Sequence, residues 1–370
     1  MSIIAKISTS VPNYKYSQDE LADFMSTLFD YSDRKRNVLK EVYRKSCIAY
    51  RYSVIPDYGC SVNDRIFYPR TNNLEPFPDV AFRMLFYAKH ALPLAVSAIE
   101  KLVVDGLNLN DLTHLIVVSC TGLSAPGLEI DLIRELKLNS SIERTSINFI
   151  GCYAAVHGLK QANAICNSNK NAVVLVVSLE LCSIHFQKIE DADNITSNLL
   201  FGDGAAAIIV TSDNHAKENR LDGFRIDSFY SDLLFEGSKD MAWQVSASGF
   251  LMTLSSYIPK LIEVGIKELL LKALEKNNLK LSEIDHWAIH PGGRRILEVI
   301  HHELELSESD LSSSYKVLND YGNMSSPTIL FVLKDILESK IERNSQQKVF
   351  GVAFGPGLTM ESFILTYVQN

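Results

Sequence analysis

No apolar run in this chain approaches the roughly 20 residues that a membrane-spanning helix needs, so an integral membrane protein is not expected. The first residues, Met1 to Ser8, contain neither the apolar stretch nor the small-residue cleavage site of a secretory signal, and the expected location is the cytoplasm. Six cysteines (Cys47, Cys60, Cys120, Cys152, Cys166 and Cys182) are scattered without a single C-x-x-C pair, which argues against both a disulfide framework and a zinc knuckle. They are expected as reduced thiols. Positive charge is also scarce: a net charge of −8 over 370 residues disfavours nucleic acid or an anionic membrane as the main partner. What is present is an ordinary globular composition, 46% hydrophobic and 22% charged, with enough length for one large double core or two domains.

Cys152 is the most informative residue. An apolar, strand-like run through Asn148, Phe149 and Ile150 breaks at Gly151, and the residues from Ala155 to Ala162 then carry a helical pattern. A thiol at a helix N-terminus faces unsatisfied N–H groups and the positive end of the macrodipole, which can lower its pKa from about 8.5 into the range of about 3.5 to 7.5. The ordinary alternative is a buried structural cysteine.

An internal repeat supplies the architecture. Leu107 to Val118 and Leu279 to His290 share leucines, acids, aliphatics and a histidine at an offset of 172 residues. Gly151-Cys152 before one helical stretch corresponds to Gly322-Asn323 before another at 171, and the β-rich runs Ala172 to Ser178 and Lys348 to Phe354 correspond at 176. Such a period is too long for a solenoid and indicates two copies of one α/β half. Continuous apolar strands such as Val173 to Val177 belong in a sheet covered on both faces. The expected fold is therefore α/β, a layered αβαβα arrangement of two pseudo-symmetric halves with two sheets around a shared helix pair. The halves are placed at 1–215 and 216–370, joined by the polar stretch Asp213 to Arg220, with extra helices at Gln18 to Phe29 and Val80 to Leu102. The repeat puts Cys152 and Asn323 at equivalent helix N-termini, and His290 ends a strand at a Pro-Gly-Gly turn, a common position for a site residue in α/β folds.

Cysteine, histidine and asparagine together point to acyl transfer: a thiolate accepts the acyl group, an imidazole assists it, and an amide donor binds a developing oxyanion. A papain-like protease uses the same residue types but places its cysteine near the mature N-terminus, unlike this chain. Five motifs then carry a resemblance. Gly151-Cys152, Leu200-Phe201-Gly202-Asp203-Gly204-Ala205-Ala206, Ile289-His290-Pro291-Gly292-Gly293, Tyr321-Gly322-Asn323-Met324-Ser325-Ser326 and Phe354-Gly355-Pro356-Gly357-Leu358-Thr359 occur in the order found in the type III polyketide synthases. The chain thus resembles the chalcone and stilbene synthase family of the thiolase-like superfamily over nearly its whole length.

The resemblance implies a homodimer and decarboxylative condensation of malonyl-CoA onto an acyl-CoA starter, with coenzyme A thioesters as substrates and neither a cofactor nor a metal. Cys152 is the implied nucleophile, paired with His290 as thiolate and imidazolium; His290 and Asn323 are the implied enolate donors. Phe201 matches a gatekeeper, Ser325 matches the family, and Phe354, Gly355 and Pro356 match the loop that shapes the cavity. Other implied pocket positions depart from the plant pattern: Met252 stands for a second gatekeeper phenylalanine, Cys182 and His185 for threonines, Trp243 for a small glycine, and Ala125 for a methionine at the dimer interface. A flexible methionine suits an aliphatic chain better than a planar ring. That favours an alkylresorcinol or alkylpyrone-type product. Coenzyme A is expected on a basic stretch, with Lys45 aligned to a family lysine and Lys40 and Arg44 as neighbouring candidates; the plainer reading of such a stretch is a solvated helix face.

Other signals are set aside. Gly202 to Ala207 imitates a dinucleotide-binding loop but runs on into the β-like Ile208-Ile209-Val210. His286 and His290 have zinc-pair spacing yet sit in a strand-like run. His157, His301 and His302 read as surface or packing residues, and Glu180, Asp203 and Glu361 as structural acids. The second hypothesis is a β-ketoacyl synthase III, with one condensation fed by a carrier protein; its asparagine motif usually reads Gly-Asn-Thr-Ser, unlike this chain. A scaffold binding acyl-CoA on the same fold is the non-enzyme alternative.

Overall fold

The computed structural model describes residues 1–29, 31–342 and 345–370. In the first part of the chain lie β1 (Ser2–Ser10), β2 (Tyr14–Ser17), α1 (Gln18–Ser26), α2 (Asp33–Arg44), β3 (Tyr50–Ser53), α3 (Val80–Val104), β4 (His114–Ser119) and α4 (Leu128–Glu135). They are followed by β5 (Glu143–Asn148), α5 (Ala154–Ser168), β6 (Val173–Leu181), α6 (Ala192–Leu200), β7 (Asp203–Ser212) and α7 (Asp213–Glu218). The remainder contains β8 (Gly223–Leu233), β9 (Met241–Ser246), β10 (Gly249–Leu254), α8 (Ile258–Lys276), β11 (His286–Ile289) and α9 (Arg294–Glu303), then α10 (Ser312–Tyr321), α11 (Thr328–Ser339), β12 (Lys348–Gly355) and β13 (Thr359–Val368).

Apolar runs form the strands, as their composition demands: β6 and β7 are buried at every position. The strand order β11-β12-β13-β8-β1-β7-β6-β4-β5 has the same pattern on both sides of its centre. β4 runs parallel to β6, and β6 antiparallel to β7; β11 runs parallel to β12, and β12 antiparallel to β13. The repeated segments of the sequence are the same elements twice, a 3-10 turn leading into β4 or β11. Where two separate large sheets were expected, nine of the strands form one sheet, because β1 pairs with β8 through Ile3 with Arg225 and Ile4 with Phe224, while β2 with β3 and β9 with β10 form two-stranded sheets of their own. The buried residues nevertheless fall into two clusters, one including Leu175, Ile262 and Phe350 and the other Val176, Leu330 and Phe363.

Other boundaries moved for local reasons. The stretch expected as a polar link begins with helix α7, because the Ser212 hydroxyl accepts from the His215 amide at its N-terminus. α1 stops at Ser26, three residues short of the expected Phe29, and α3 continues to Val104. The glycine-rich stretch Gly202 to Ala207 runs into a strand, and His286 opens β11.

Candidate active site

Three chain turns meet behind the sheet. Cys152 lies between β5 and α5, just after Gly151, whose φ of +93° and whose contact with Pro356 leave no room for a side chain: an added Cβ would lie 2.2 Å from Pro356 Cδ. The Gly151 amide donates to Cys120 Sγ at 3.1 Å, and no side chain caps the first turn of α5. The nucleophile candidate thus precedes a helix N-terminus whose Ala154 and Val156 amides donate to Gly151 O and Tyr153 O and to no side chain.

His290 directly follows β11. Its amide donates to Val352 O at 2.9 Å and its carbonyl accepts from the Gly292 amide at 2.9 Å, which fixes the backbone while the ring projects from it. Neither ring nitrogen has a hydrogen-bond partner among the described residues, although the side chain is buried. Asn323 sits in the turn between α10 and α11. Its Oδ1 accepts from the Ser325 amide at 2.8 Å, and its Nδ2 lies 3.4 Å from Gly292 O, linking it to the His290 turn.

Cys152, His290 and Asn323 line one cavity, together with Phe354 and Pro356. Four further residues, Phe201, Trp243, Met252 and Ser325, line both this cavity and a second one. The second runs beneath α1 and β3, where Leu21, Met25, Tyr58, Cys182 and Phe186 give it a largely apolar wall. The dividing wall is stiff. Trp243 Nε1 donates to Cys120 O at 3.0 Å, and its ring meets Phe250 edge-on at 5.8 Å. His185 stacks on Phe250 at 4.2 Å, accepts from the Phe250 amide through Nδ1 at 3.1 Å and bonds Thr121 O through Nε2 at 2.7 Å. That pattern makes it a neutral clamp, and burial pushes its pKa down to about 3.

Burial of each group works against the expected thiolate and imidazolium. Burial pushes the Cys152 thiol up to about 11, against hydrogen bonds from Ser325 and Asn323 that pull it down. Burial alone pushes His290 down to about 3. The desolvation of each charge taken singly outweighs the helix N-terminus.

Several expected pocket residues lie elsewhere. Gly355 lines neither cavity but passes behind the nucleophile, where a Cβ would come 2.5 Å from Tyr153 Cδ1. Ala125 lies on an exposed loop and reaches neither cavity. Lys40, Arg44 and Lys45 also stand apart from both, on and just beyond α2, and each is paired: Lys40 with Asp23, Arg44 with Asp19 at 3.1 Å and Lys45 with Glu41 at 3.1 Å. The expected free cationic collar is therefore locally neutralised by acids from α1 and α2. Such exposed pairs contribute only up to about 1 kcal/mol, so an incoming phosphate can displace them.

The acids read as structural do hold structure. Glu180 accepts from the Cys120 amide at 2.9 Å and the Thr121 and Ser326 hydroxyls at 2.8 and 2.5 Å, and burial pushes its carboxyl up to about 7. Asp203 accepts from the Val54 and Ser183 amides, both at 2.8 Å. Glu361 bonds half-buried His157 at 3.0 Å and pairs with Lys160. Two residues at the site escaped the sequence reading. Phe250 completes the aromatic wall, and Arg51 is buried beside it; period-2 alternation in Tyr50-Arg51-Tyr52-Ser53 puts Arg51 and Ser53 on the inner face, a signal that was available.

A duplicated mixed sheet with a buried thiol, imidazole and carboxamide around one cavity defines a thiolase-like acyltransferase. Residues 1–214 match the N-terminal domain of chalcone and stilbene synthases, and residues 226–369 the C-terminal domain. The chain belongs to this family, the type III polyketide synthases. It is 30% identical to the alpha-pyrone synthesis polyketide synthase-like Pks18 of Mycobacterium tuberculosis, over 100% of this chain and 92% of that protein. Among solved structures it superposes on PKS-I from the brown alga Ectocarpus siliculosus with a TM-score of 0.91, at 29% identity, covering 99% of this chain and 98% of that one. The C-terminal type III polyketide synthase domain of Steely1, a type I/III hybrid from Dictyostelium, gives 0.89 at 27% identity, with 99% of both chains covered.

Proposed function

We propose that the protein condenses malonyl-CoA repeatedly onto an aliphatic acyl-CoA starter and closes the product to an alkylpyrone or alkylresorcinol. Cys152 Sγ attacks the starter thioester, forming a new thioester and releasing coenzyme A. His290 and Asn323 donate to the thioester carbonyl of malonyl-CoA; the C–C bond to the carboxylate breaks, CO2 leaves, and the electron pair is held as an enolate. The enolate carbon attacks the Cys152 thioester and expels the thiolate. The extended chain on coenzyme A can then reload. Donors aimed at charge that develops only during reaction are worth about 3 to 4 kcal/mol each.

Proton transfer from thiol to imidazole within one cavity buries no net charge, so it escapes most of the penalty that burial places on either ion alone. Coenzyme A would lie across α2 with its phosphates on Lys45, Lys40 and Arg44 after displacing their carboxylates. The two halves are taken as 1–215 and 216–370, the assembly as a homodimer through the exposed edge of β5, and the location as cytoplasmic; no helix among the described residues is long and apolar enough to cross a membrane. A β-ketoacyl synthase III chemistry has the same triad but needs no second compartment.

The observation that carries this reading is the apolar second cavity separated from Cys152 only by Phe201, Trp243, Met252 and Ser325. The similarity to the alpha-pyrone synthesis polyketide synthase-like Pks18 supports a pyrone. Purified protein given malonyl-CoA and a series of acyl-CoA starters should release CO2 and multi-ketide products without a carrier protein, and C152A should form none. Strict dependence on an acyl carrier protein with a single condensation would overturn it.

A further inference from the structure

Arg51 is one of two arginines buried among the described residues, the other being Arg83. Arg51 is 6% exposed, yet its guanidinium makes no carboxylate salt bridge among the described residues. Nη1 donates to Phe201 O at 2.6 Å and Nε donates to Gln18 Oε1 at 3.0 Å, with the Tyr43 phenol alongside. Removing a guanidinium from water costs several kcal/mol unless something compensates. Part of the compensation is the C-terminal end of α6, whose carbonyls carry the negative end of the helix macrodipole, and part is the charge of Asp203 and the Tyr43 and Tyr58 phenols nearby; Nη2 has no partner among the described residues.

The bonds around that helix end form a closed set. Gln18 Nε2 donates to Leu199 O at 2.8 Å, the Asn323 amide donates to Leu200 O at 2.9 Å, Arg51 donates to Phe201 O, and the Gly202 amide donates to Asn323 O at 2.9 Å. Phe201 and Asn323 are thus bridged as a one-residue parallel ladder. The segments pass so closely that glycine occupies both crossing points. A Cβ on Gly202 would lie 3.0 Å from Tyr321 O; one on Gly322, whose φ is +69°, would lie 2.8 Å from Leu200 O and 2.9 Å from Arg51 Cγ.

We infer that Arg51 is a positioning residue that binds the gate at Phe201 to the amide donor Asn323, so that the wall between the cavities and the enolate donor keep one fixed relation. This rests on the reactions assigned above, and it assigns the residue a step: Arg51 serves chiefly decarboxylation, in which Asn323 holds the enolate, while the loading of Cys152 depends on Asn323 only through its bond to the thiol. A displacement of about 1 Å in a donor can cost about 10²-fold in rate.

The test separates two half-reactions in R51M and R51K. Loading is followed as the mass increase of Cys152 after mixing with acyl-CoA alone, and decarboxylation as CO2 released from malonyl-CoA alone, with the thermal midpoint recorded for each protein. In R51M, loading should stay within about threefold of wild type while decarboxylation falls by about 30- to 100-fold. Lysine can supply one donor to Phe201 O without holding Gln18, so R51K should recover part of the loss. Should R51M fail to fold, R51K alone decides, with loading retained and decarboxylation reduced about tenfold. Equal losses in both half-reactions, or none in either, overturn the inference. A wild-type protein that loads no acyl group and releases no CO2 overturns the reading beneath it as well.

Discussion

Cys152 and His290 each favour the neutral form when taken alone, and the chemistry requires the charged pair. This conflict has a measurable signature. In wild type the proton can pass within the pair, and alkylation of Cys152 by iodoacetamide should be substantial at neutral pH and nearly flat around it. In H290Q the thiol has no such acceptor, and the burial that pushes it up to about 11 in this chain remains. Since a raised thiol pKa means less thiolate at every pH below it, H290Q should react slowly at pH 7 and faster steadily toward pH 11. A flat profile in the variant would show that His290 does not receive the proton. At the dividing wall, W243A removes an indole that lines both cavities and gives up its bond to Cys120 O. The expected outcome is a longer product with the same starter, read by mass spectrometry. That Cys152, His290 and Asn323 meet at one cavity was legible in sequence because each sits in a short motif with a glycine turn. For Arg51 the strand alternation could place the residue on the inner face but not give its role, because its partners Gln18 and Phe201 are distant along the chain.

Among the elements, the turn that presents Cys152 is closely constrained by backbone geometry. Gly151 combines a positive φ with direct contact to Pro356, so G151A should lose about 1 to 3 kcal/mol of stability, measured from denaturant midpoints, and should lose condensing activity beyond that. Elements with strong local patterns, such as the all-apolar β6 and β7, could be read directly from sequence. α7 could not: five of its six residues are polar, and only the Ser212 cap and the packing of Ala216 distinguish it from a loop. The ion pairs on α2 escaped for another reason. Whether a run of lysines and arginines is free depends on which acids fold beside it, and Asp19 and Asp23 arrive from α1.

At the level of the whole molecule, the nine-stranded sheet ends differently on its two sides. β11 is short and mostly buried, whereas β5 presents an edge with Glu143 to Ser146 exposed. A free edge of that length invites pairing with another copy. Sedimentation should therefore give about twice the 41.4 kDa of one chain, and amides of β5 should exchange hydrogen more slowly than an open edge allows; a monomer at micromolar concentration would contradict this. The repeat in sequence foretold the doubled strand order, but not the seam between β1 and β8, which rests on only two residue pairs. The clamped indole beside the thiol has a wider consequence. Because malonyl units add carbon two atoms at a time, a wall that cannot yield acts as a ruler with coarse graduations, stopping growth at one mark and leaving little product at those on either side.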